Sequence, residues 1–169
     1  MFTIGDTVVY GTQGVCKISD ITKITAAKVT REYYVLKPVY EGASTLYVPV
    51  DNEDVVNSRM RIVFTVDEVH SIIKNVSEGN AMEWISNDAK RKEFCINTLK
   101  NGDRVELMRL IGMLYSHQTE MKENNKHFHI ADERYMKEAE KLINEEFAYV
   151  LGIEQKDVQN YIAKRINKK

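Results

Sequence analysis

A tryptophan followed closely by three basic residues is the feature of this sequence best suited to binding chemistry. Trp84 is the only tryptophan in the chain, and Lys90, Arg91 and Lys92 follow it a few positions later. An exposed indole can stack on bases or separate them, and cationic side chains neutralise phosphates. A tryptophan can equally anchor a hydrophobic core, here at a junction between domains. The sequence leaves both interpretations of Trp84 open.

Three histidines form a second candidate cluster. His117, His127 and His129 bracket one polar stretch, and a His-x-His pair can bind zinc. A structural zinc site needs four nitrogen or sulfur ligands, and no cysteine lies near this stretch. We therefore interpret 121–129 as a solvated polar loop and expect no metal or other cofactor.

The sequence motifs of common enzyme classes are missing. The phosphate-binding patterns GxxxxGK[ST] and GxGxxG do not occur, nor do the GxSxG and HExxH signatures of hydrolases. The acidic pairs Glu138/Glu140 and Glu145/Glu146 lie in a segment rich in lysine and arginine, which favours surface charge pairing over acid–base catalysis. We expect a protein that is not an enzyme and has no small-molecule substrate.

The composition limits how the chain could bind nucleic acid. Its 169 residues carry 24 basic and 25 acidic side chains, for a net charge of −1. That balance argues against coating DNA by bulk charge, so any nucleic-acid contact requires a local patch. Apolar runs fall short of the ~20 residues of a membrane helix, and residues 1–10 lack signal-peptide character. We expect a cytoplasmic protein with reduced cysteines at Cys16 and Cys95 and no membrane partner.

The elements that would position these side chains divide the chain in two. Before residue 66, runs of β-branched and aromatic residues alternate with turn formers, at 7–10, 15–24, 33–36 and 45–48. Pro38 and Pro49 fall at strand ends, where a missing N–H is tolerated. This pattern predicts four or five short strands in a small antiparallel sheet of the SH3 or Tudor kind, spanning 1–66.

After residue 66 the apolar spacing becomes helical. It predicts helices at 67–75, through Trp84 to Leu99, from Asp103 onward, from Asp132 to Gly152, and at 154–166. Asp103 can cap the third of these helices. The predicted second domain is an all-α helical bundle at 67–169, in which 67–80 is a connecting helix and loop. The predicted fold class is therefore α+β, with a β module followed by a helical bundle.

Several motifs resemble the CarD/CdnL family of bacterial transcription regulators. In the first half they are FTIGDTVVY at 2–10, Gly14-Val15, YYVL at 33–36 and VPV at 48–50. In the second half they are Trp84, KRK at 90–92, NGD at 101–103 and EAEKL at 138–142. The resemblance covers nearly the whole chain. It implies a two-domain regulator of transcription initiation.

The resemblance implies a specific partner for the β module. In that family, the module docks on the β subunit of RNA polymerase by pairing a strand edge with it, so backbone hydrogen bonds supply affinity. The corresponding strand here comprises Thr45, Leu46, Tyr47 and Val48. Tyr47 stands where some family members have an arginine.

The resemblance also implies a DNA contact for the helical domain. In the family, a tryptophan wedge enters promoter DNA at the upstream fork of the melted bubble, and here that residue would be Trp84. Phosphate contacts would come from Lys90, Arg91, Lys92 and Arg134. Such a wedge would replace lost base stacking and stabilise the open promoter complex. The protein would then be associated with the nucleoid through RNA polymerase.

A different class of function also fits the β module. SH3-like and Tudor-like modules serve in many protein-interaction adaptors, and the fold by itself does not define a partner. In this alternative, the module binds another protein and the helical bundle never contacts DNA. Exposure of Trp84 beside the basic residues would favour the first hypothesis over the adaptor.

Overall fold

The computed structural model describes residues 1–40 and 44–167, and it divides into two compact units, Met1–Phe64 and Thr65–Lys169. An antiparallel five-stranded sheet forms the first unit and helices form the second. The predicted α+β class, with an N-terminal β module and a C-terminal helical part, is confirmed.

The strands of the N-terminal unit are all antiparallel to their neighbours. They are β1 (Thr7–Tyr10), β2 (Val15–Ala26), β3 (Val29–Pro38), β4 (Leu46–Pro49) and β5 (Met60–Ile62), in the order β4-β3-β2-β1-β5. A short helix, α1 (Glu53–Arg59), connects β4 to β5. The sequence pattern predicted four or five strands, but it did not locate β5 and did not predict α1. Asn52 begins α1, because its side-chain oxygen accepts a hydrogen bond from the Val55 backbone N–H. The sheet therefore has two edges, β4 and β5.

One face of this sheet covers a small hydrophobic core. Side chains alternate between the two faces of a strand, so β-branched and aromatic residues at every second position share one face. The buried cluster is Val8, Cys16, Ile18, Tyr34, Leu36, Val48, Val56 and Met60. Burial of this set gives β4 a defined register, because a slip by one residue would turn its core side chains to solvent.

A long hairpin extends from the sheet. β2 and β3 pair from Cys16↔Pro38 to Ala26↔Val29, so these strands are longer than the short ones the sequence predicted. The two turn residues, Ala27 and Lys28, have φ angles of 49° and 64°. Two-residue hairpin turns with positive φ favour asparagine and glycine, so this backbone conformation is energetically unfavourable for Ala27 and Lys28.

The described part of the second unit contains five α-helices. They are α2 (Val66–Glu78), α3 (Asp88–Asn101), α4 (Arg104–Glu123), α5 (Ile130–Leu151) and α6 (Val158–Ile166). Side-chain caps begin the first three: Thr65 forms a capping box with Glu68, and Asn87 and Asp103 each accept a backbone N–H. The prediction that Asp103 caps a helix and that Gly152 follows the end of the long helix is confirmed.

Two predicted boundaries in this unit are wrong. Trp84 lies before α3 rather than within it, because the Asn87 side chain caps the Lys90 backbone N–H and starts the helix at Asp88. The predicted loop at 121–129 is shorter, because α4 continues to Glu123.

Helices α4 and α5 supply the centre of the second unit. Their fully buried residues include Leu107, Leu110, Leu114, Ile143 and Phe147. These positions recur at helical spacing, so each helix turns one apolar stripe inward. None of the helices in the described part of the chain combines the length and apolarity that crossing a bilayer requires.

Candidate functional sites

Trp84 is held by aromatic and cationic contacts within the helical unit. Its ring stacks on His117 of α4, with centroids 3.6 Å apart and planes inclined by 10°. The guanidinium carbon of Arg91 lies 4.5 Å from the Trp84 ring centroid. The side chain remains partly exposed. Trp84 is therefore neither a fully buried core residue nor a freely projecting one, but an indole whose position is defined by its neighbours.

His117 contacts two aromatic side chains from within a helix. It lies within α4, its side chain is only 18% exposed, and Nδ1 is 3.8 Å from Oε2 of Glu120. Its ring centroid is also 6.3 Å from that of Phe128. The described residues contain no group of three or more histidine, cysteine, aspartate or glutamate side chains arranged to hold a metal ion. His117 is thus a stacking partner of Trp84, which no sequence signal had indicated.

Arg91 requires a correction to the set of expected phosphate ligands. It is only 4% exposed, and its Nε donates to Oδ1 of Asp132 at 2.9 Å. Nη2 donates to Asp88 at 2.8 Å, and Nη1 donates to the Ile85 carbonyl at 3.0 Å. All three nitrogens of the guanidinium are engaged inside the unit. Arg91 is therefore unavailable to a DNA phosphate and instead ties the Trp84 segment to α3 and α5.

The electrostatics of Arg91 agree with this structural role. Burial by itself lowers the pKa of the guanidinium, but the hydrogen bonds to Asp132 and Asp88 outweigh it, and the pKa is raised overall. The arginine therefore remains charged. A buried Asp132 carboxylate without a nearby cation would be unfavourable, so the Arg91–Asp132 pair favours packing of the start of α3 against α5.

The other expected cations are exposed. Lys90 and Lys92 lie on α3, and Arg134 lies on α5 with its side chain 66% exposed and its Nε 3.9 Å from Glu138. Lys90 and Lys92 are two residues apart, so they lie about 200° apart around the helix, on opposite flanks of the inward-facing Arg91. Lys90 also lies in the first turn of α3, where a positive charge is unfavourable to the helix dipole. These three side chains remain candidates for phosphate contact. Because Lys90 and Lys92 lie on different sides of α3, they cannot both contact the same phosphate.

Cys95 adjoins the Arg91–Asp132 pair. It is fully buried, and burial, followed by the nearby Asp132 charge, raises the pKa of its thiol to about 11. The thiol is therefore protonated at physiological pH and behaves as a small apolar side chain. The second carboxylate oxygen of Asp132 is buried and has no hydrogen-bond partner among the described residues.

A second buried ion pair replaces an expected surface pair. Glu146 is fully buried, and its Oε2 accepts from Nε of Arg104 at 2.6 Å. Glu145 is also buried, so the interpretation of Glu145/Glu146 as surface charges is wrong. A sequence signal for this existed, because Glu146 lies three positions after Ile143 and four after Leu142, on the apolar stripe of α5.

The predicted docking strand lies at an edge of the sheet. In β4, Leu46 is half-buried and Val48 is buried, whereas Tyr47 is 53% exposed and Thr45, just before the strand, is exposed. Among the described strands, β4 pairs only with β3. The strand therefore offers its other side to a partner.

The hydrogen-bond parity of β4 shows which backbone groups are on that open side. The Val50 N–H donates to the Glu32 carbonyl at 2.9 Å, and in an antiparallel ladder alternate residues bond to the same neighbour. Val48 and Leu46 therefore direct their backbone groups to β3, while the N–H and carbonyl of Tyr47 point away from it. Pro49, which lacks an N–H, falls on the open side, where its missing donor leaves the ladder intact.

These features define the N-terminal unit as a small β domain with one edge open to strand pairing. Residues 2–63 match the family model described as CarD-like/TRCF RID domain, and this family interacts with the β subunit of RNA polymerase. The N-terminal unit is therefore a CarD-like RID domain, and the resemblance to CarD-like proteins is confirmed there. The helical unit lies outside the matched residues. No curated protein matches the chain.

Proposed function

We propose that this protein docks on the RNA polymerase β subunit through β4 and uses Trp84 to stabilise the open promoter complex. The domain match over residues 2–63 carries the polymerase half of the proposal. The partly exposed Trp84, which stacks on His117 and precedes the exposed Lys90 and Lys92 by six and eight positions, supports the DNA half. Such a protein would act in the cytoplasm, on the nucleoid, wherever polymerase melts a promoter.

The docking step uses backbone hydrogen bonds. A strand of polymerase placed against β4 would accept from the Tyr47 N–H and donate to the Tyr47 carbonyl, extending the sheet by one strand. The exposed Tyr47 ring would add a side-chain contact on the same strand. Backbone pairing and side-chain contact can be separated by mutation.

Two substitutions at one position test the docking step. Tyr47→Pro removes the outward N–H without removing a bond to β3, whereas Tyr47→Ala keeps the N–H and removes the ring. Because a buried acceptor left unpaired costs about 1–3 kcal/mol, Tyr47→Pro should weaken binding to purified polymerase about 5-fold or more. Tyr47→Ala serves as the matched control and should retain the backbone contribution. Unchanged binding by a folded Tyr47→Pro variant would show that this edge is not the docking strand.

The DNA step relies on a pre-positioned indole. Stacking on His117 and the contact with Arg91 restrict the Trp84 ring before DNA arrives, so less conformational entropy is lost on binding. A base stacked on an aromatic side chain contributes about 1–3 kcal/mol, which offsets part of the stacking lost when the duplex opens. Lys90, Lys92 and Arg134 would contact phosphates on either side.

The lifetime of the open complex tests the DNA step. Trp84→Ala should shorten that lifetime by about 5- to 150-fold in a competitor-challenge assay with purified polymerase, the range that 1–3 kcal/mol gives. Trp84→Phe, which keeps an aromatic face, should fall between wild type and Trp84→Ala. Polymerase binding should be unaltered in both variants. Equal lifetimes for wild type and Trp84→Ala would exclude the wedge.

The charge balance of the chain leads to a separate prediction about the DNA affinity of the free protein. With a net charge of −1, the free protein should bind DNA weakly, and attachment to polymerase must supply the effective concentration. A band-shift assay at physiological salt should show little binding by the protein alone. Tight binding there would contradict the tethered mechanism.

The adaptor hypothesis remains the second candidate because of one observation. His117 covers part of the Trp84 ring, as it would in a purely structural aromatic cluster. An adaptor would bind its partner through β4, and the open-complex lifetime would then be the same for wild type and the Trp84→Ala variant. The lifetime assay therefore distinguishes the two functions.

A further inference from the structure

A cleft lies where α4 ends and the chain turns toward α5. Its volume is about 400 Å³, and it is lined by Gln118, Lys122, Asn125, Lys126, His127 and Phe128. The turn is well defined: Asn125 adopts a φ of 54°, and the Lys126 N–H donates to the Met121 carbonyl at 2.8 Å. From the sequence, this segment is expected only to form part of a solvated loop.

The lining of the cleft suits an anion that carries a flat ring. Lys122 and Lys126 bring positive charge, the side-chain amides of Gln118 and Asn125 offer donors, and Phe128 offers an aromatic side chain. Among the described residues that line the cleft there is no carboxylate. Phosphate contacts in nucleic-acid complexes come from lysine and amide side chains of this kind, and bases stack on aromatic rings.

The cleft is connected to Trp84 through aromatic rings. Phe128 lines the cleft and lies 6.3 Å from the His117 ring, and His117 stacks on Trp84. Trp84, His117 and Phe128 thus form an aromatic row that leads from the proposed wedge into the basic cleft. Proteins that hold single strands combine such aromatic positions with a positively charged groove along the backbone.

We propose that this cleft binds a nucleotide of single-stranded DNA next to the base that contacts Trp84. Phe128 contacts the base, and Lys122 and Lys126 contact its phosphate. The assignment rests on the proposed DNA contact of Trp84 and extends it along one strand of the melted promoter. An acidic peptide would match the two lysines but would leave the aromatic row unused, which is why the nucleotide is the better ligand.

Charge-matched variants of the full-length chain test the assignment. Lys122→Gln/Lys126→Gln removes two cleft charges, and Lys137→Gln/Lys156→Gln removes two charges from side chains that are 69% and 78% exposed elsewhere in the unit. Because the free protein is expected to bind DNA weakly, binding of a labelled oligothymidylate is followed by fluorescence anisotropy at protein concentrations high enough to saturate it, from low to physiological salt. Because both lysines contact one phosphate, losing them should reduce the slope of log K against log salt by about 0.7 in magnitude, whereas the control pair should leave the slope unchanged.

The same variants are then compared in open complexes with polymerase, together with Trp84→Ala. The cleft is supported if its variant lowers the salt slope and shortens the open-complex lifetime relative to the control pair. If Trp84→Ala shortens the lifetime and the cleft variant matches its control in both assays, the cleft assignment is wrong and the proposed function stands. If neither variant changes the lifetime, both are wrong. Displacement of oligothymidylate by polyglutamate at equal charge concentration would also overturn the nucleotide assignment, because it would show a general anion site.

Discussion

Removing Arg91 should destabilise the helical unit far more than removing a neighbouring lysine. Arg91→Met removes the guanidinium whose Nε donates to Oδ1 of Asp132 at 2.9 Å, and it keeps much of the side-chain volume. Asp132 is 3% exposed, and its second oxygen already has no hydrogen-bond partner among the described residues. Leaving one member of a buried ion pair without its partner costs about 3–5 kcal/mol. Domains have a total unfolding free energy of about 5–15 kcal/mol, so this loss is a large fraction of it.

Urea unfolding of the full-length chain measures this loss. Circular dichroism at 222 nm follows the helices, and fluorescence of the single Trp84 reports the same unit independently. Lys90→Met removes an adjacent exposed charge and should change the unfolding free energy by no more than about 0.5 kcal/mol. Arg91→Met/Asp132→Leu removes both buried charges and should regain most of the lost stability, because replacing a whole buried pair with apolar residues is often neutral.

The stability of Arg91→Met could contradict this reasoning. A variant within about 1 kcal/mol of wild type would mean that the guanidinium is not held in the interior. If the same variant lost DNA contact to the degree that Lys90→Met does, Arg91 would be a phosphate ligand, as the sequence resemblance implied.

Three further predictions concern the hairpin turn, the buried thiol and the second ion pair. Ala27→Asn/Lys28→Gly should raise the unfolding free energy of the N-terminal unit by about 1–2 kcal/mol, because Ala27 and Lys28 adopt positive φ angles that asparagine and glycine tolerate better. A lower thermal midpoint for the variant would contradict this. The pKa of the Cys95 thiol is raised from the ordinary 9.0 to about 11, so folding favours the protonated thiol. The stability that this preference adds is fully present below pH 9 and is lost as the pH rises through 11. At pH 8 its thiolate fraction should be about 100-fold lower than in the unfolded chain, and equal rates of alkylation in the native and urea-unfolded protein would refute the shift. Glu146→Gln should lower the unfolding free energy by about 3–5 kcal/mol, whereas the exposed control Glu138→Gln should have almost no effect in the same urea titration.

Local sequence patterns predicted the elements whose formation depends on near neighbours. The strands containing Thr7–Tyr10 and Leu46–Pro49 follow from runs of β-branched and aromatic residues between turn formers. Asp103 as a helix cap and Gly152 as a helix end follow from the chemistry of one side chain and one backbone angle. The motifs of the matched domain likewise belong to contiguous stretches within residues 2–63.

Contacts between distant segments were not predictable in this way. Arg91 lies between two exposed lysines, and a run of three basic residues looks the same in sequence whether or not its middle member is buried. The ion pair with Asp132 spans 41 positions, and the Arg104–Glu146 pair spans 42. Such pairs form only when two helices pack, because isolated charges cannot be buried without a partner.

By itself, the sequence determined the β module and its family, the helical character of the second unit, and Trp84 as the residue of interest. Tertiary structure alone decided that Trp84 stacks on His117, that Arg91 is a positioning residue, and that a basic cleft adjoins the aromatic row. The physical reason is the sequence separation over which each kind of interaction acts. Hydrogen-bond caps, turns and hydrophobic periodicity act over a few residues, whereas stacking and buried ion pairs depend on side chains that only the packing of α3, α4 and α5 brings together.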